Sequence, residues 1–163
     1  MSRTNKIFLI YLSCIIPIFM ILFFGVGKGL DFYDRVHLYD KFLHFFFSSL
    51  VLVVIGFWLA HIAGMKPFWA AFFAFCFALM IGVMWEIVEY VLDVLRASNN
   101  ERWRNTVPFN MILTKYASNA AKQGPAAVDT MGDLISGTIG AFIASMAGWL
   151  WLARAHKRKD SAD

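Results

Sequence analysis

Long apolar runs decide what this chain can fold into. Four stretches carry few charges and span about residues 7–24, 42–62, 68–95 and 128–153. A helix of about 20 apolar residues is long enough to cross the hydrocarbon core of a bilayer. We therefore predict an all-α, polytopic membrane protein with four transmembrane helices, in which residues 1–163 form a single membrane domain.

The composition supports this class. The chain is 60% hydrophobic, contains 17 Phe and is only 16% charged, whereas soluble domains are about 25% charged. The formal net charge of +4 does not indicate a nucleic-acid partner, because the basic residues flank the apolar runs as they do beside lipid head groups. Cys14 and Cys76 lie inside apolar runs, and we predict that both are small buried hydrophobic residues.

Two polar connections separate these runs. Residues 25–39 contain Gly25, Gly27 and Gly29, and we predict a flexible turn that leaves the membrane. The connection between the third and fourth runs contains a set of apolar residues at helical spacing, which predicts a short interfacial helix. A buried loop helix is the alternative. The residues of this set are Phe109, Ile112, Leu113 and Tyr116.

The third run ends in three carboxylates. Glu86, Glu89 and Asp93 fall within an arc of about 60° on one helix face. An acidic residue inside a bilayer costs roughly 2.5–3.5 kcal/mol on insertion scales, so three on one face need partners.

Other ionisable residues lie at the starts of the second and fourth runs. Asp40 and His44 open the second run, and Asp129 and Asp133 open the fourth. With four spans, these starts and the end of the third span lie on the same side of the membrane. The sequence therefore predicts a one-sided acidic pocket.

Six carboxylates and one imidazole cannot all stay charged in a small cavity, so protons or cations must lie among them. The candidate cations are a bound metal ion and four basic residues, Lys41, Arg96, Arg102 and Arg104. Oxygen ligands and one imidazole suit a divalent metal such as Mg²⁺, Mn²⁺, Fe²⁺ or Zn²⁺.

One hypothesis assigns catalytic roles to these residues. His44 would be the general base that activates a metal-bound water, and Glu86 would be both catalytic and a metal ligand. Arg102 and Arg104 would hold a substrate phosphate. The predicted metal ligands are Asp40, Glu86, Glu89, Asp129 and Asp133.

Three motifs resemble those of the VanZ-like and YjdF-like inner-membrane proteins. They are Asp40-Lys41-x-x-His44-Phe45, Trp85-Glu86-x-x-Glu89, and Asp129-Thr130-x-x-Asp133-Leu134 followed by Gly140. The resemblance implies a small multi-span protein of a bacterial inner (plasma) membrane, but it supplies no reaction. VanZ-like members typically carry an Asn shortly after the last Asp, where this chain has Ser136-Gly137. This departure weakens any transfer of the glycopeptide-resistance role and favours the YjdF-like branch.

These observations leave three functions open. The first is a metal-dependent enzyme that acts on a lipid-linked or envelope substrate, with membrane lipid as its surroundings. The second is non-catalytic binding or transport of a cation or ligand, and the third is a structural protein whose acids only pair with nearby bases. The sequence does not decide whether the protein is an enzyme, and it does not give the oligomeric state.

Two further patterns concern packing and orientation. Ser136, Gly140, Ala144 and Gly148 recur every four residues on the fourth run, which predicts a close approach of another helix backbone. Lys and Arg residues are nearly balanced between the two sides, at about 7 and about 8. Because the basic tail lies close to the fourth run, we predict that both termini are cytoplasmic.

Overall fold

The computed structural model describes residues 3–36, 38–96 and 125–160, and its regular elements in these ranges are helical. The first helix, α1, runs over Arg3–Met20 and continues as wider, π-helical turns over Ile21–Gly29. The remaining helices are α2 (Phe32–Arg35), α3 (Tyr39–Phe47), α4 (Val53–Ile62), α5 (Pro67–Arg96) and α6 (Pro125–Asp160), and a π-helical segment, Ser48–Leu52, joins α3 to α4.

Four segments of the described chain are long and apolar enough to cross a membrane. They are Thr4–Gly29, Tyr39–Ile62, Pro67–Leu92 and Asp129–Ala155, here called spans 1 to 4. The prediction of an all-α protein with four transmembrane helices is therefore confirmed. The predicted interfacial helix lies outside the described residues, and the single-domain assignment stays a prediction.

Span 1 extends further than the sequence suggested. Helical turns continue to Gly29, and the buried Gly27 packs so closely on the ring of Tyr33 that a Cβ atom at Gly27 would collide with it. The Tyr39 hydroxyl donates a hydrogen bond of 2.8 Å to the carbonyl of Leu22. The prediction of a flexible turn from residue 25 is wrong, because these aromatic contacts hold the connection against the end of span 1.

Spans 2, 3 and 4 approach one another through small residues. A Cβ atom at Gly56 would lie 2.6 Å from the Cα atom of Ala74, so spans 2 and 3 nearly touch there. A Cβ atom at Gly140 would lie 2.5 Å from the carbonyl oxygen of Phe45. The predicted close approach along span 4 is therefore confirmed, and its neighbour is span 2.

Span 1 lies at the edge of this group. Span 2 is the most buried of the four spans and span 1 is the least. The contacts of span 1 are largely aromatic, since Phe8 stacks on Trp58 at 4.4 Å and Phe19 lies 4.5 Å from Phe47.

The two cysteines lie on the outer surface. Cys14 and Cys76 are both exposed, so the prediction that they are buried is wrong. In a membrane-spanning helix an apolar side chain can face lipid as readily as protein, so hydrophobicity alone does not place it inside.

Candidate functional site

Three helix ends bring the acidic residues of the described spans and His44 together. The start of span 2 supplies Asp40 and His44, which are one helical turn apart on one face. The end of span 3 supplies Glu86 and Glu89 on one face of α5, and the start of span 4 supplies Asp129 and Asp133. Glu86, Asp129 and Asp133 are only 4%, 1% and 3% exposed, so each carboxyl group depends on polar contacts within the protein.

The first set of contacts joins spans 2 and 4, and we call Lys41, Asp129 and Asp133 the lysine bridge. The buried Lys41 Nζ atom lies 2.6 Å from Asp129 Oδ1 and 2.8 Å from Asp133 Oδ1. It also lies 3.7 Å from Asp40 Oδ2. The Ser136 hydroxyl donates a short hydrogen bond to the backbone carbonyl of Lys41. These contacts fix the start of span 4 against span 2.

The second set surrounds His44, and we call His44, Glu86 and Glu89 the histidine cluster. His44 Nδ1 lies 3.5 Å from Glu86 Oε1, and His44 Nε2 lies 3.7 Å from Asp133 Oδ1. Both distances are longer than a good hydrogen bond. The imidazole ring therefore faces carboxylates on spans 3 and 4 at distances longer than a hydrogen bond.

The histidine cluster brings three metal-ligand side chains close to one another. One potential ligand atom from each of His44, Glu86 and Glu89 lies within 4.8 Å of the others, and the same holds for Asp40, His44 and Asp133. Zinc-type bonds to nitrogen and oxygen ligands are about 2.0–2.2 Å long, so ligands around one ion lie up to about 4.2 Å apart. A small movement of these side chains would bring either group into a coordination shell.

A cavity of about 400 Å³ borders the histidine cluster. Asp40, His44 and Glu89 line it together with Lys28. The rest of its wall is mainly apolar and aromatic and comes from spans 1, 2 and 3 and the connection after span 1. These residues are Phe19, Phe23, Tyr33, Leu43, Phe47, Ser48, Leu52, Ile81, Gly82 and Trp85.

The structure brings together most of the residues that the sequence singled out. Asp40, His44, Glu86, Glu89, Asp129 and Asp133 meet at one end of the spans. Arg102, Arg104 and the side chains of Asp93 and Arg96 lie outside the described residues. The catalytic and metal-binding roles stay predictions.

Sequence reasoning missed three parts of this site. Lys41 was one of several candidate cations, and its place between Asp129 and Asp133 comes from the packing of spans 2 and 4. Ser136, one turn after Asp133, could have been noticed as a polar residue on the same face. The aromatic wall of the cavity could not have been predicted, because phenylalanines are frequent throughout this chain.

Comparisons with known proteins identify the family. The model of a family described as "Predicted membrane protein (DUF2238)" matches residues 2–154, so the chain belongs to this family. A relative from Thermotoga maritima, described as "Uncharacterized protein", is 31% identical over 80 residues. That match covers 46% of this chain and 40% of the relative. No solved structure matches the chain.

Proposed function

We propose that this member of the DUF2238 family is a metal-dependent hydrolase that acts on a phosphate ester of a lipid-linked substrate inside the membrane. The observation that carries the proposal is the histidine cluster, whose ligand atoms lie within 4.8 Å of one another beside the cavity. A metal ion held there could contact a substrate in the cavity.

The contacts narrow the set of metal ligands. His44, Glu86 and Glu89 provide one imidazole and two carboxylates, which suits Mg²⁺, Mn²⁺, Fe²⁺ or Zn²⁺. Asp129 lies at hydrogen-bonding distance from Lys41, so we assign it to the lysine bridge. Asp133 contacts both Lys41 and the Nε2 atom of His44, and it would orient the imidazole while the other ring nitrogen faces Glu86.

This arrangement suggests how hydrolysis would proceed. A metal ion held by His44, Glu86 and Glu89 would supply Lewis-acid chemistry at the phosphoryl group and make a nearby water more acidic. The general base would take a proton from the attacking water and return it to the ester oxygen, which leaves as an alcohol. An imidazole that ligates the metal cannot also accept the proton of the attacking water. We therefore propose Asp40, which lines the same cavity, as the general base instead of His44. Arg102 and Arg104 remain the proposed contacts for the substrate phosphate.

The proposed membrane, family branch and orientation of the protein rest on its sequence. The three motifs that resemble VanZ-like and YjdF-like proteins support a bacterial inner-membrane location and the YjdF-like branch. The basic tail supports cytoplasmic termini, which would place the site at the outer face of the membrane. An envelope lipid carrying a phosphate ester would be accessible from that face.

Metal analysis tests the proposal. We expect about one equivalent of Mn²⁺ or Zn²⁺ in the wild-type protein after incubation and gel filtration, and loss of that metal in Glu86→Gln and His44→Ala. Asp31→Asn, at an exposed position, is the matched control and should retain the metal. The wild type loaded with metal should also release phosphate from a lipid phosphate, and Glu86→Gln should not. Equal metal content in the wild type and Glu86→Gln would refute the proposal.

A structural role is the second candidate, and the lysine bridge favours it. A buried ammonium group that contacts two buried carboxylates can hold two helices together without any ligand. This alternative predicts a protein that binds no metal and hydrolyses no lipid phosphate, but that unfolds when Lys41 is replaced.

A further inference from the structure

We infer that the cavity holds a hydrocarbon chain of an anionic membrane lipid, with the lipid's phosphate at the histidine cluster. This inference rests on the proposed function and deepens it, because it names the substrate class and the place of the substrate's apolar part.

The cavity wall changes from polar to apolar with depth along span 2. Asp40 and His44 lie in the first turns of the span, whereas Phe47 and Leu52 lie one to three turns deeper. Span 3 runs in the opposite direction and shows the same gradient, with Glu89 near its end and Ile81 about two turns deeper. A cavity with a charged end and an apolar end matches an amphiphile.

Span 1 continues this gradient. Phe19 lies deep in the span, whereas Lys28 lies at its last turn, and both line the cavity. The Lys28 ammonium lies 5.3 Å from the ring centre of Phe23, in the range of a cation–π contact. Asp40 and Glu89 also line this end, and the Lys28 ammonium together with the proposed metal would offset their charge and leave room for a phosphate group.

Gly82 keeps the apolar end of the cavity open. Apart from residues 81 and 83 and the backbone of its own helix, no atom of the described chain lies within 4 Å of the place where its Cβ atom would be. Gly82 is four residues before Glu86 and seven before Glu89, so all three lie on one face of span 3. The space beside Gly82 therefore lies directly below the histidine cluster, at membrane depth.

The size and the position of the cavity fit a lipid chain. About 400 Å³ is within the range of small-molecule sites, which are mostly apolar with a few polar groups. Water is a poor occupant for an apolar wall, because a buried water needs two or more polar partners. Span 1, the least buried span, forms one side of the cavity, and its Phe23 touches Trp85 of span 3 only edge-on, at 6.4 Å. A lipid could enter between these two spans.

Photolabelling tests the inference. The probe is phosphatidic acid with a diazirine near the end of one acyl chain, in phosphatidylcholine nanodiscs that hold the full-length protein with Mn²⁺. We expect labelling at Phe47, Leu52 or Ile81, and competition by unlabelled phosphatidic acid. Gly82→Leu should reduce this labelling at least about fivefold, because the leucine side chain would occupy the space proposed for the lipid chain; a fivefold loss corresponds to roughly 1 kcal/mol.

Val83→Phe is the matched control. Val83 is next to Gly82, but it is exposed and does not line the cavity, so the added ring should leave the labelling within about twofold. Gel filtration and thermal melting would check that Gly82→Leu folds, and Leu52→Trp would replace it if it does not. Equal labelling in Gly82→Leu and Val83→Phe would overturn the inference, as would labelling confined to outward residues such as Ile143, which the surrounding bilayer reaches in any case.

The metal content of the same samples separates the two proposals. Bound metal with labelling that phosphatidic acid does not compete would refute the lipid-chain inference and leave the metal site standing. Competed labelling in the cavity without any bound metal would support the lipid chain and refute the metal-dependent reaction.

Discussion

The lysine bridge and the histidine cluster both contain carboxylates at the same end of the helix bundle. They differ in how closely other atoms pack against those carboxylates. In the lysine bridge an ammonium group lies 2.6 and 2.8 Å from two carboxylates. In the histidine cluster the ring lies 3.5 Å from Glu86, and a cavity of about 400 Å³ lies alongside. Glu86 of the histidine cluster is as buried as Asp129 and Asp133 of the lysine bridge, whereas Glu89 is only partly buried. For Glu86, therefore, the neighbouring atoms and not the burial decide whether the carboxylate can accept a ligand.

Backbone packing shows the same difference. On the side of the lysine bridge, span 4 touches span 2 at Gly140, where not even a methyl group fits. On the side of the histidine cluster, the missing side chain of Gly82 leaves open space. The lack of a side chain therefore has opposite effects at these two glycines. At Gly140 it lets two helix backbones come into contact, and at Gly82 it leaves a cavity unfilled.

Replacement of Lys41 should have the largest effect. Lys41→Met would leave Asp129 and Asp133 buried without the ammonium group, which typically costs 3–5 kcal/mol. We expect loss of monodisperse protein in gel filtration and a large drop in melting temperature. Lys66→Met, at an exposed turn, is the control and should melt like the wild type. The triple variant Lys41→Met, Asp129→Asn, Asp133→Asn should recover part of the loss, and a stable Lys41→Met protein would show that the bridge does not hold the fold.

Metal should stabilise the histidine cluster and leave the lysine bridge unaffected. At 100 times its dissociation constant, Mn²⁺ should add about 2.7 kcal/mol to the free energy of unfolding of the wild type. His44→Ala should melt at the same temperature with and without Mn²⁺. A stabilisation by Mn²⁺ that survives in His44→Ala would place the ion elsewhere.

Added methyl groups should separate the two glycines. Gly140→Ala would force a Cβ atom against the Phe45 carbonyl, and overpacking of this kind costs about 1–3 kcal/mol. Gly82→Ala meets no neighbouring atom and should be neutral or slightly stabilising, since alanine is the better helix former. The measurement is unfolding of both variants in mixed detergent, and equal stability would contradict the packing described for span 4.

The smallest effect should come from the hydroxyl of Ser136. Ser136→Ala removes its hydrogen bond to the Lys41 carbonyl, which should cost about 1 kcal/mol. Ser13→Ala removes a bond to a carbonyl four residues back on the exposed side of span 1 and is the control. If both serine variants melt alike, the Ser136 contact does not support the lysine bridge.

The spans and the meeting point of the acids could be predicted from sequence because both follow from local rules. Apolar length gives a span, and residues three or four apart share a helix face, so Glu86 and Glu89 had to point the same way. An antiparallel order of spans then places the end of span 3 beside the start of span 4. The end of span 1 could not be predicted, because its continuation to Gly29 depends on the ring of Tyr33.

The sequence by itself determined the class of protein, the number of spans in the described chain and the end of the bundle at which the acidic residues of these spans lie. Only the tertiary structure decided which acids contact Lys41, which face His44 and where the cavity lies. The physical reason is that the distances between side chains on different spans do not follow from helical periodicity. Helical periodicity fixes directions within one span, whereas the separation of groups on different spans depends on how closely their backbones approach, and that is set by individual small residues such as Gly140 and Gly56.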